Sequence, residues 1–311
     1  MAMTGTWLGD AFAHEAFVFH EDEAMIDRCV PFVVEGLERD EPVIVVATET
    51  VRDALGSALG RDLARLAVLG EAETWWRGDA ATTLQAYDRD LRRLLAADRP
   101  WRLIGEPVWL AAEGGRVWSR YEAVANDCYA TFPYYSLCLH DRRRLAPDII
   151  DDVLRTHPLT WNGSAPVASS AYEQTGAYLS SVEPGWYARP DIAATMFATS
   201  ARQIRAAVRE AAPDGWEARH DDMMIALHEL VANAVRAAGA AEVSTWSDGR
   251  DLVWEVADTG PGLHDISAGY SPPGDHLESG RGLWLARSLS DDASVRAWGP
   301  GTAIRLFFRR R

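Results

Sequence analysis

Hydrophobic positions in the first half of the chain switch repeatedly between a strand-like and a helix-like pattern. The apolar runs Ala16–Phe19 and Val43–Thr48 are short and bounded by charge, which predicts buried strands. The segment between them carries an apolar stripe at helical spacing, made of Met25, Cys29, Phe32, Val33 and Leu37. The apolar runs LAVLG, WRLIGEP and YYSLCLHD follow, separated by helical stretches. This alternation predicts βα units around a mainly parallel sheet.

The pattern breaks between Leu159 and Pro190, where Gly, Pro and Ser become frequent. A chain of 311 residues is long for one average domain and suits two. We therefore predict a first domain over residues 10–165, a junction over residues 166–190 and a second domain over residues 191–311.

The last third has a different order of elements. Helices are predicted over Ile192–Ala211 and Trp216–Ala238. The strands AEVSTWS and LVWEVAD follow, joined by the hairpin signal Asp248-Gly249. A helix at GLWLARSLSD and the two strands ASVRAW and TAIRLFF complete the pattern.

Composition narrows the class of protein. Hydrophobic residues make up 48% of the chain, but no run approaches the ~18–20 apolar residues of a membrane span. The first residues lack the basic start and apolar block of a signal peptide, so we expect a cytoplasmic protein without a membrane partner. Cys29, Cys128 and Cys138 have no metal-ligand spacing, so we expect reduced thiols and no structural metal.

The charge of the chain excludes several functions. The net charge is -15, and all 31 basic residues are arginines. Without lysine the chain can be neither a P-loop nucleotidase, nor a eukaryotic-type kinase, nor a Schiff-base enzyme. The acidic balance and the lack of a basic stripe argue against direct nucleic-acid binding.

Two polar residues stand out on the helix MMIALHELVANAVRAAG. Glu229 and Asn233 lie four residues apart and therefore share one face, away from the apolar stripe. A carboxamide oxygen suits Mg²⁺, which takes oxygen ligands from protein, phosphate and water. A nearby glutamate can orient or activate a nucleophile.

Glycine-rich turns follow this helix in a fixed order. Asp258 ends a strand, where its carboxylate can accept a hydrogen bond from the exocyclic amine of adenine, and Gly260 and Gly262 permit close approach of a ligand. Gly280 and Gly282 precede a helix whose free backbone N–H groups can meet phosphate oxygens. Gly301-Thr302 opens the last strand.

This ordered set resembles the Bergerat-type ATP-binding fold of gyrase, histidine kinases and MutL, from about residue 193 to residue 309. The resemblance implies an α/β sandwich that binds ATP or ADP with Mg²⁺. It makes Glu229 the catalytic base, Asn233 the Mg²⁺ ligand and Asp258 the residue that recognises adenine. The other nucleotide-binding positions that it implies are Gly260, Gly262, Gly280, Arg281, Gly282, Leu283 and Thr302.

Within that superfamily the short segment between Gly262 and Gly280 and the surrounding helices look like the RsbW/SpoIIAB anti-sigma factors, which are serine kinases of small partner proteins. The resemblance implies a sigma factor or an anti-anti-sigma (STAS) protein as partner, and a homodimer. Ala237 departs from the histidine that often follows this motif. A histidine kinase, or a nucleotide-tuned binding module without kinase activity, remains an alternative.

The first domain resembles the MEDS sensory domain of DcmR-type regulators, on the stretches HEAFVFHEDEAMIDRCV, GEPVW, RYEAVAN, SLCLHD and RTHPL. The resemblance implies a degenerate RecA/KaiC-like α/β fold that senses a small-molecule signal. Open α/β sheets bind ligands at strand ends, where the candidate pocket residues are Glu106, Trp109, Tyr121, Glu122, His140 and His157.

Overall fold

The computed structural model describes residues 7, 9–70, 80–95, 99–111, 115–184, 186–211, 215–249, 251–263, 265, 267–270, 281–298 and 300–310. The chain folds as two compact units, Met1–Tyr178 and Leu179–Arg311. Among the described helices, none is long and apolar enough to cross a membrane.

The first unit is built on a seven-stranded sheet, counted over the described residues. Its strands are β1 (Ala13–Phe19), β2 (Val43–Ala47), β3 (Ala67–Gly70), β4 (Trp101–Gly105), β5 (Tyr134–Asp141), β6 (Leu159–Trp161) and β7 (Pro166–Ala168). Their order is β3-β2-β4-β5-β1-β6-β7. All pairs are parallel except β6 with β7, so the predicted mainly parallel sheet is confirmed.

The described helices of this unit cover both faces of the sheet. They are α1 (Asp22–Glu38), α2 (Glu49–Leu59), α3 (Ala80–Leu95), α4 (Gly115–Cys128), α5 (Pro147–Thr156) and the first half of α6 (Thr175–Val182), which ends in the second unit. Strand β2 is buried at all five positions, because parallel strands are covered on both sides. Val43 and Val45 pack in the cluster with α1 and α2, whereas Ile44 and Val46 pack in the cluster with α3.

The second unit is a five-stranded antiparallel sheet, again counted over the described residues. Its strands are β8 (Ala194–Ala198), β9 (Ala241–Ser247), β10 (Asp251–Ala257), β11 (Asp292–Trp298) and β12 (Gly301–Arg309), in the order β11-β12-β10-β9-β8. The helices α7 (Ile204–Ala211), α8 (His220–Ala238) and α9 (Arg281–Leu289) and two short 3-10 helices, Ala201–Gln203 and Glu217–Arg219, also belong to this unit. Leu227 and Leu230 of α8 share a buried cluster with Trp254 and Leu306 of the sheet. The predicted α/β class of both domains is thereby confirmed.

One predicted element of this unit is wrong. The helix predicted over Ile192–Ala211 begins instead with strand β8, which pairs antiparallel with β9. Helical structure starts only after Ser200, whose side chain forms a capping box with Gln203. The residues before Ser200 therefore pair in the sheet, and the Ser-x-x-Gln capping box marks where the helical segment begins.

Candidate functional site

Helix α8 places Glu229 and Asn233 against the start of α9. A Cβ atom added to Gly282 would lie 2.8 Å from Asn233 Nδ2 and 3.0 Å from Glu229 Oε2. Glycine is therefore the residue that lets the first turn of α9 approach these two side chains. The two positions that the sequence pattern linked lie side by side, and both side chains are partly exposed to solvent.

Asp258 stands where β10 ends, beside the last strand. Its backbone N–H donates to the carbonyl oxygen of Thr302 at 2.9 Å, and its Oδ1 accepts from the backbone N–H of Gly260 at 2.7 Å. The first hydrogen bond fixes the backbone of Asp258 and the second fixes its carboxylate, whose Oδ2 is left as a free acceptor among the described residues. A ligand amine is a suitable donor for an oxygen in this position.

The loop after Asp258 packs closely against the end of α8 and against the backbone at the start of β12. Gly262 has a φ of +84°, which favours glycine. A Cβ at Gly260 would lie 2.9 Å from the Ala237 Cβ, and a side chain at Gly301 would overlap the carbonyl group of Asp258. The absence of a side chain at Gly260 and Gly301 therefore lets the loop pack closely against the end of α8 and the start of β12.

The residues present fit a magnesium nucleotide. Because Gly282 has no side chain, the N-terminal end of α9 can face the Glu229–Asn233 pair. The free backbone N–H groups at this helix end suit phosphate oxygens. Arg281 is exposed at the same end, whereas Leu283 is buried and contributes to packing. Thr302 is buried next to Asp258. Gly280 lies outside the described residues.

Arg236 lies one turn after Asn233 and was not predicted as a site residue. Its Nη1 donates to Asn233 Oδ1 at 2.8 Å, so the amide oxygen predicted to bind Mg²⁺ is engaged by a cation. The spacing of three residues on one helix was the available signal.

Glu183 follows α6 and was likewise not predicted as a functional residue. Its carboxylate accepts from Arg287 Nη2, from the Tyr270 hydroxyl and from the backbone N–H of Val295, each at 3.0 Å. The guanidinium of Arg287 stacks 4.0 Å from the Tyr270 ring centroid. Glu183 therefore connects the predicted junction to α9 and to β11 within the second unit.

The aromatic residues after Glu183 also pack on this unit. The Arg305 guanidinium lies 4.0 Å from the Trp186 ring and 5.0 Å from the Trp246 ring, and it donates to buried Glu255 at 2.7 Å. Tyr187 packs edge-on against Trp246 with ring centroids 6.2 Å apart. The segment that follows α6 is therefore bound to the outer face of the antiparallel sheet.

The first unit contains a cavity of about 90 Å³ between one face of its sheet and helices α3 and α4. Four predicted pocket residues line it: Glu106, Trp109, Tyr121 and Glu122. Its position differs from the predicted one, because only Glu106 directly follows a strand. The small residues Gly105, Ser136 and Ala125 leave this space between sheet and helices.

His140 and His157 do not line the cavity. They lie buried beside His14, a residue that the sequence analysis did not select. The ring centroids of His14 and His157 are 3.9 Å apart, and those of His140 and His157 are 5.3 Å apart. The structure therefore gathers three histidines next to the cavity that the other four predicted residues line.

Burial controls the charge of these groups. It lowers the pKa of His14 to about 4 and that of His140 to about 3, and it also lowers the pKa of His157. Burial raises the pKa of Glu122 to about 7. His14 Nε2 and Glu122 Oε2 are 3.6 Å apart, but a neutral imidazole makes this a polar contact rather than an ion pair.

Comparisons with known proteins match the two units separately. Residues 13–158 match the family model of the MEDS domain, described as the methanogen/methylotroph, DcmR sensory domain, and residues 195–308 match that of the histidine kinase-like ATPase domain. No curated protein matches the chain. A solved structure of the RsbU and RsbW domains of Rv1364c from Mycobacterium tuberculosis is 19% identical, with a TM-score of 0.25. That match covers 54% of this chain and 41% of the solved chain. Residues 13–158 of this chain are thus similar to the MEDS sensory domain, and residues 195–308 are similar to the histidine kinase-like ATPase domain.

Proposed function

We propose that the second domain binds Mg-ATP and phosphorylates a serine or threonine of an anti-anti-sigma (STAS) partner. The observation that carries this proposal is the approach of Gly282 to Glu229 and Asn233. It brings a carboxylate, a carboxamide group and a helix N-terminus to one place. A module that only bound nucleotide would have no use for the carboxylate.

Each residue of this site has a distinct role in the proposal. Asp258 Oδ2 accepts a hydrogen bond from the exocyclic amine of adenine, while Asp258 Oδ1 stays bonded to Gly260. The first turn of α9 holds the phosphates, and Asn233 supplies an oxygen to Mg²⁺.

ATP supplies the phosphoryl group. The protein orients the partner hydroxyl, and Glu229 accepts its proton as the new P–O bond forms and the bond to the leaving ADP oxygen breaks. Preorganised N–H groups and the metal charge offset the negative charge of the transferred group.

Phosphotransfer from labelled ATP to co-encoded STAS proteins tests this proposal. We expect a label on the partner that survives acid, as phosphoserine and phosphothreonine do. Glu229→Gln is expected to lower the rate at least a hundredfold with ADP affinity nearly unchanged. Glu210→Gln, the same substitution at an exposed position of α7, is the matched control and is expected to leave the rate unchanged. An acid-labile label would instead indicate a histidine kinase, and transfer to no partner would favour a module that sequesters a sigma factor.

We also propose that the sensory domain regulates the ATPase domain, through the segment that follows α6. Glu183, Trp186 and Tyr187 support this idea, since they contact the ATPase unit directly. The test compares the full chain with a fragment that begins at Leu179, which keeps these contacts. Equal nucleotide affinity and equal partner phosphorylation, with and without cell extract as a source of signal, would refute regulation. Sedimentation of both proteins tests the proposed homodimer.

A further inference from the structure

Three metal-binding side chains converge inside the sensory domain. His14 lies on β1, and Cys138 lies on β5, which pairs with β1. His157 lies two residues before the start of β6, the strand that pairs with β1 on its other side. One donor atom of each lies within 4.8 Å of the others, and all three residues are buried. They are far apart in sequence, so sheet topology alone brings them together.

Hydrogen bonding fixes the protonation of His157. Its Nδ1 lies 2.8 Å from the carbonyl oxygen of Val153. A carbonyl oxygen can only accept, so Nδ1 carries the hydrogen and Nε2 carries a lone pair. This Nε2 is buried and has no hydrogen-bond partner among the described residues. A buried lone pair without a donor is costly unless it meets a donor or a metal.

Asn126 fixes His14 in the same way. Its Nδ2 donates to the carbonyl oxygens of Thr156 at 2.8 Å and of Ala123 at 3.1 Å, which orients the amide. Asn126 Oδ1 therefore faces His14 Nδ1 at 3.0 Å and accepts its hydrogen. The Nε2 of His14 is thus also an unprotonated nitrogen. Outer residues that hold the other ring nitrogen in this manner are typical of metal-binding histidines.

Cys138 supplies the third donor. Its Sγ is buried and lies 3.3 Å from the Ser136 hydroxyl, which can donate to a thiolate. Cys138 and His14 also line the cavity beneath α3 and α4. The cluster is therefore closed on the side of His157 and open on the side of the cavity.

We propose that His14 Nε2, His157 Nε2 and Cys138 Sγ bind one divalent transition-metal ion of the zinc class, with the fourth coordination position facing the cavity. Imidazole and thiolate donors suit zinc better than Mg²⁺ or Ca²⁺. Tetrahedral donors 2.0–2.3 Å from zinc lie about 3.3–3.8 Å apart, so donor atoms that now lie within 4.8 Å of one another must close by about 1.5 Å at most. The Cys138 thiol loses its proton to the solvent on binding, and the Glu122 carboxylate next to His14 offsets the remaining positive charge.

Cobalt(II) titration of the metal-free full-length protein, without nucleotide, tests this site. We expect one ion per chain, a thiolate-to-cobalt band in the near ultraviolet and the intense visible bands of a tetrahedral centre, all abolished by stoichiometric zinc. Cys138→Ser is expected to remove the thiolate band. Cys29→Ser, which removes another buried cysteine, is expected to retain it. A band that persists in Cys138→Ser, or no band in the wild-type protein, would overturn the proposal.

X-ray absorption of the zinc-loaded wild-type protein provides a measurement that needs no substitution, should Cys138→Ser fail to fold. One sulfur at about 2.3 Å and nitrogen or oxygen donors at about 2.0–2.1 Å are expected. A zinc shell without sulfur would exclude the site. The Glu229–Asn233 pair offers only oxygen and nitrogen donors, so this result does not depend on nucleotide binding by the second domain.

Discussion

Glu183 accepts a hydrogen bond from Arg287 across 3.0 Å, although the two residues are 104 positions apart. The ion pair is almost fully buried, with 6% and 3% of the two side chains exposed. It fastens the segment after α6 to the helix whose first turn faces Glu229 and Asn233. The segment after α6 is therefore in direct contact with the helix that forms one side of the proposed nucleotide site.

Glu183→Gln is expected to destabilise the second unit by about 3–5 kcal/mol, because it leaves the buried Arg287 charge without its counterion. Urea unfolding of the full chain measures this, with the relevant transition identified by its shift on adding ADP. Glu210→Gln, at an exposed position of α7 in the same unit, is expected to change the stability by at most about 0.5 kcal/mol. Similar losses in the two variants would contradict the role of Glu183.

Asp258→Asn is expected to weaken ADP binding at least about thirtyfold. Asparagine has one acceptor oxygen, and the Gly260 N–H already occupies that position. Its NH₂ group would then face the adenine amine, donor against donor. Isothermal titration with ADP and Mg²⁺ measures the loss, and Asp221→Asn at an exposed position of α8 is the control. Tight binding in Asp258→Asn would refute the assignment of Asp258.

Gly282→Ala is expected to weaken nucleotide binding about tenfold or more while the domain stays folded. Alanine is the better helix former by about 1 kcal/mol, but its Cβ would press on Asn233 and Glu229. Fluorescent-ADP titration separates this effect from stability. Gly56→Ala in α2, where the added Cβ would meet only the end of the Leu63 side chain at 3.2 Å, should leave ADP binding unchanged.

Arg236→Ala is expected to increase the dependence of ADP binding on Mg²⁺. The substitution frees Asn233 Oδ1 and removes a cation next to the proposed metal position. The ratio of ADP affinities with and without Mg²⁺ should rise about fivefold, the equivalent of about 1 kcal/mol for an exposed interaction. Arg209→Ala on α7 is the control, and an unchanged or smaller ratio in Arg236→Ala would count against Asn233 as the metal ligand.

Local sequence patterns were sufficient to predict many of the strands and helices. A short β-branched run bounded by charge predicted the strand Val43–Ala47, alternating positions predicted the strand Asp251–Ala257, and apolar spacing of helical period predicted the long helix α8. The pattern failed at Ala194–Ala198, a short edge strand whose partner lies more than forty residues away. Edge pairing of this kind leaves little periodic signal.

The two candidate sites differ in how far the sequence could predict them. The pairs at Glu229–Asn233 and Asp258–Gly260 are local, so the order of these motifs along the chain and its resemblance to a known family could indicate them. His14, Cys138 and His157 come together through β5-β1-β6 pairing, and no spacing rule covers such distances. The cavity beside them depends on how closely α3 and α4 pack, which the residue types alone do not determine.

The amide of Asn126 has a spectroscopic consequence. Because it orients His14 while the Val153 carbonyl orients His157, both rings hold their hydrogen on Nδ1 before any ion arrives. Side-chain nitrogen NMR of the metal-free protein would show two imidazoles in this one tautomer, with Nε2 shifts typical of an unprotonated nitrogen. Asn126→Leu would remove that signature from His14 and leave it on His157. The tautomer of one ring thus reports on the order of α4, and that of the other on the order of α5.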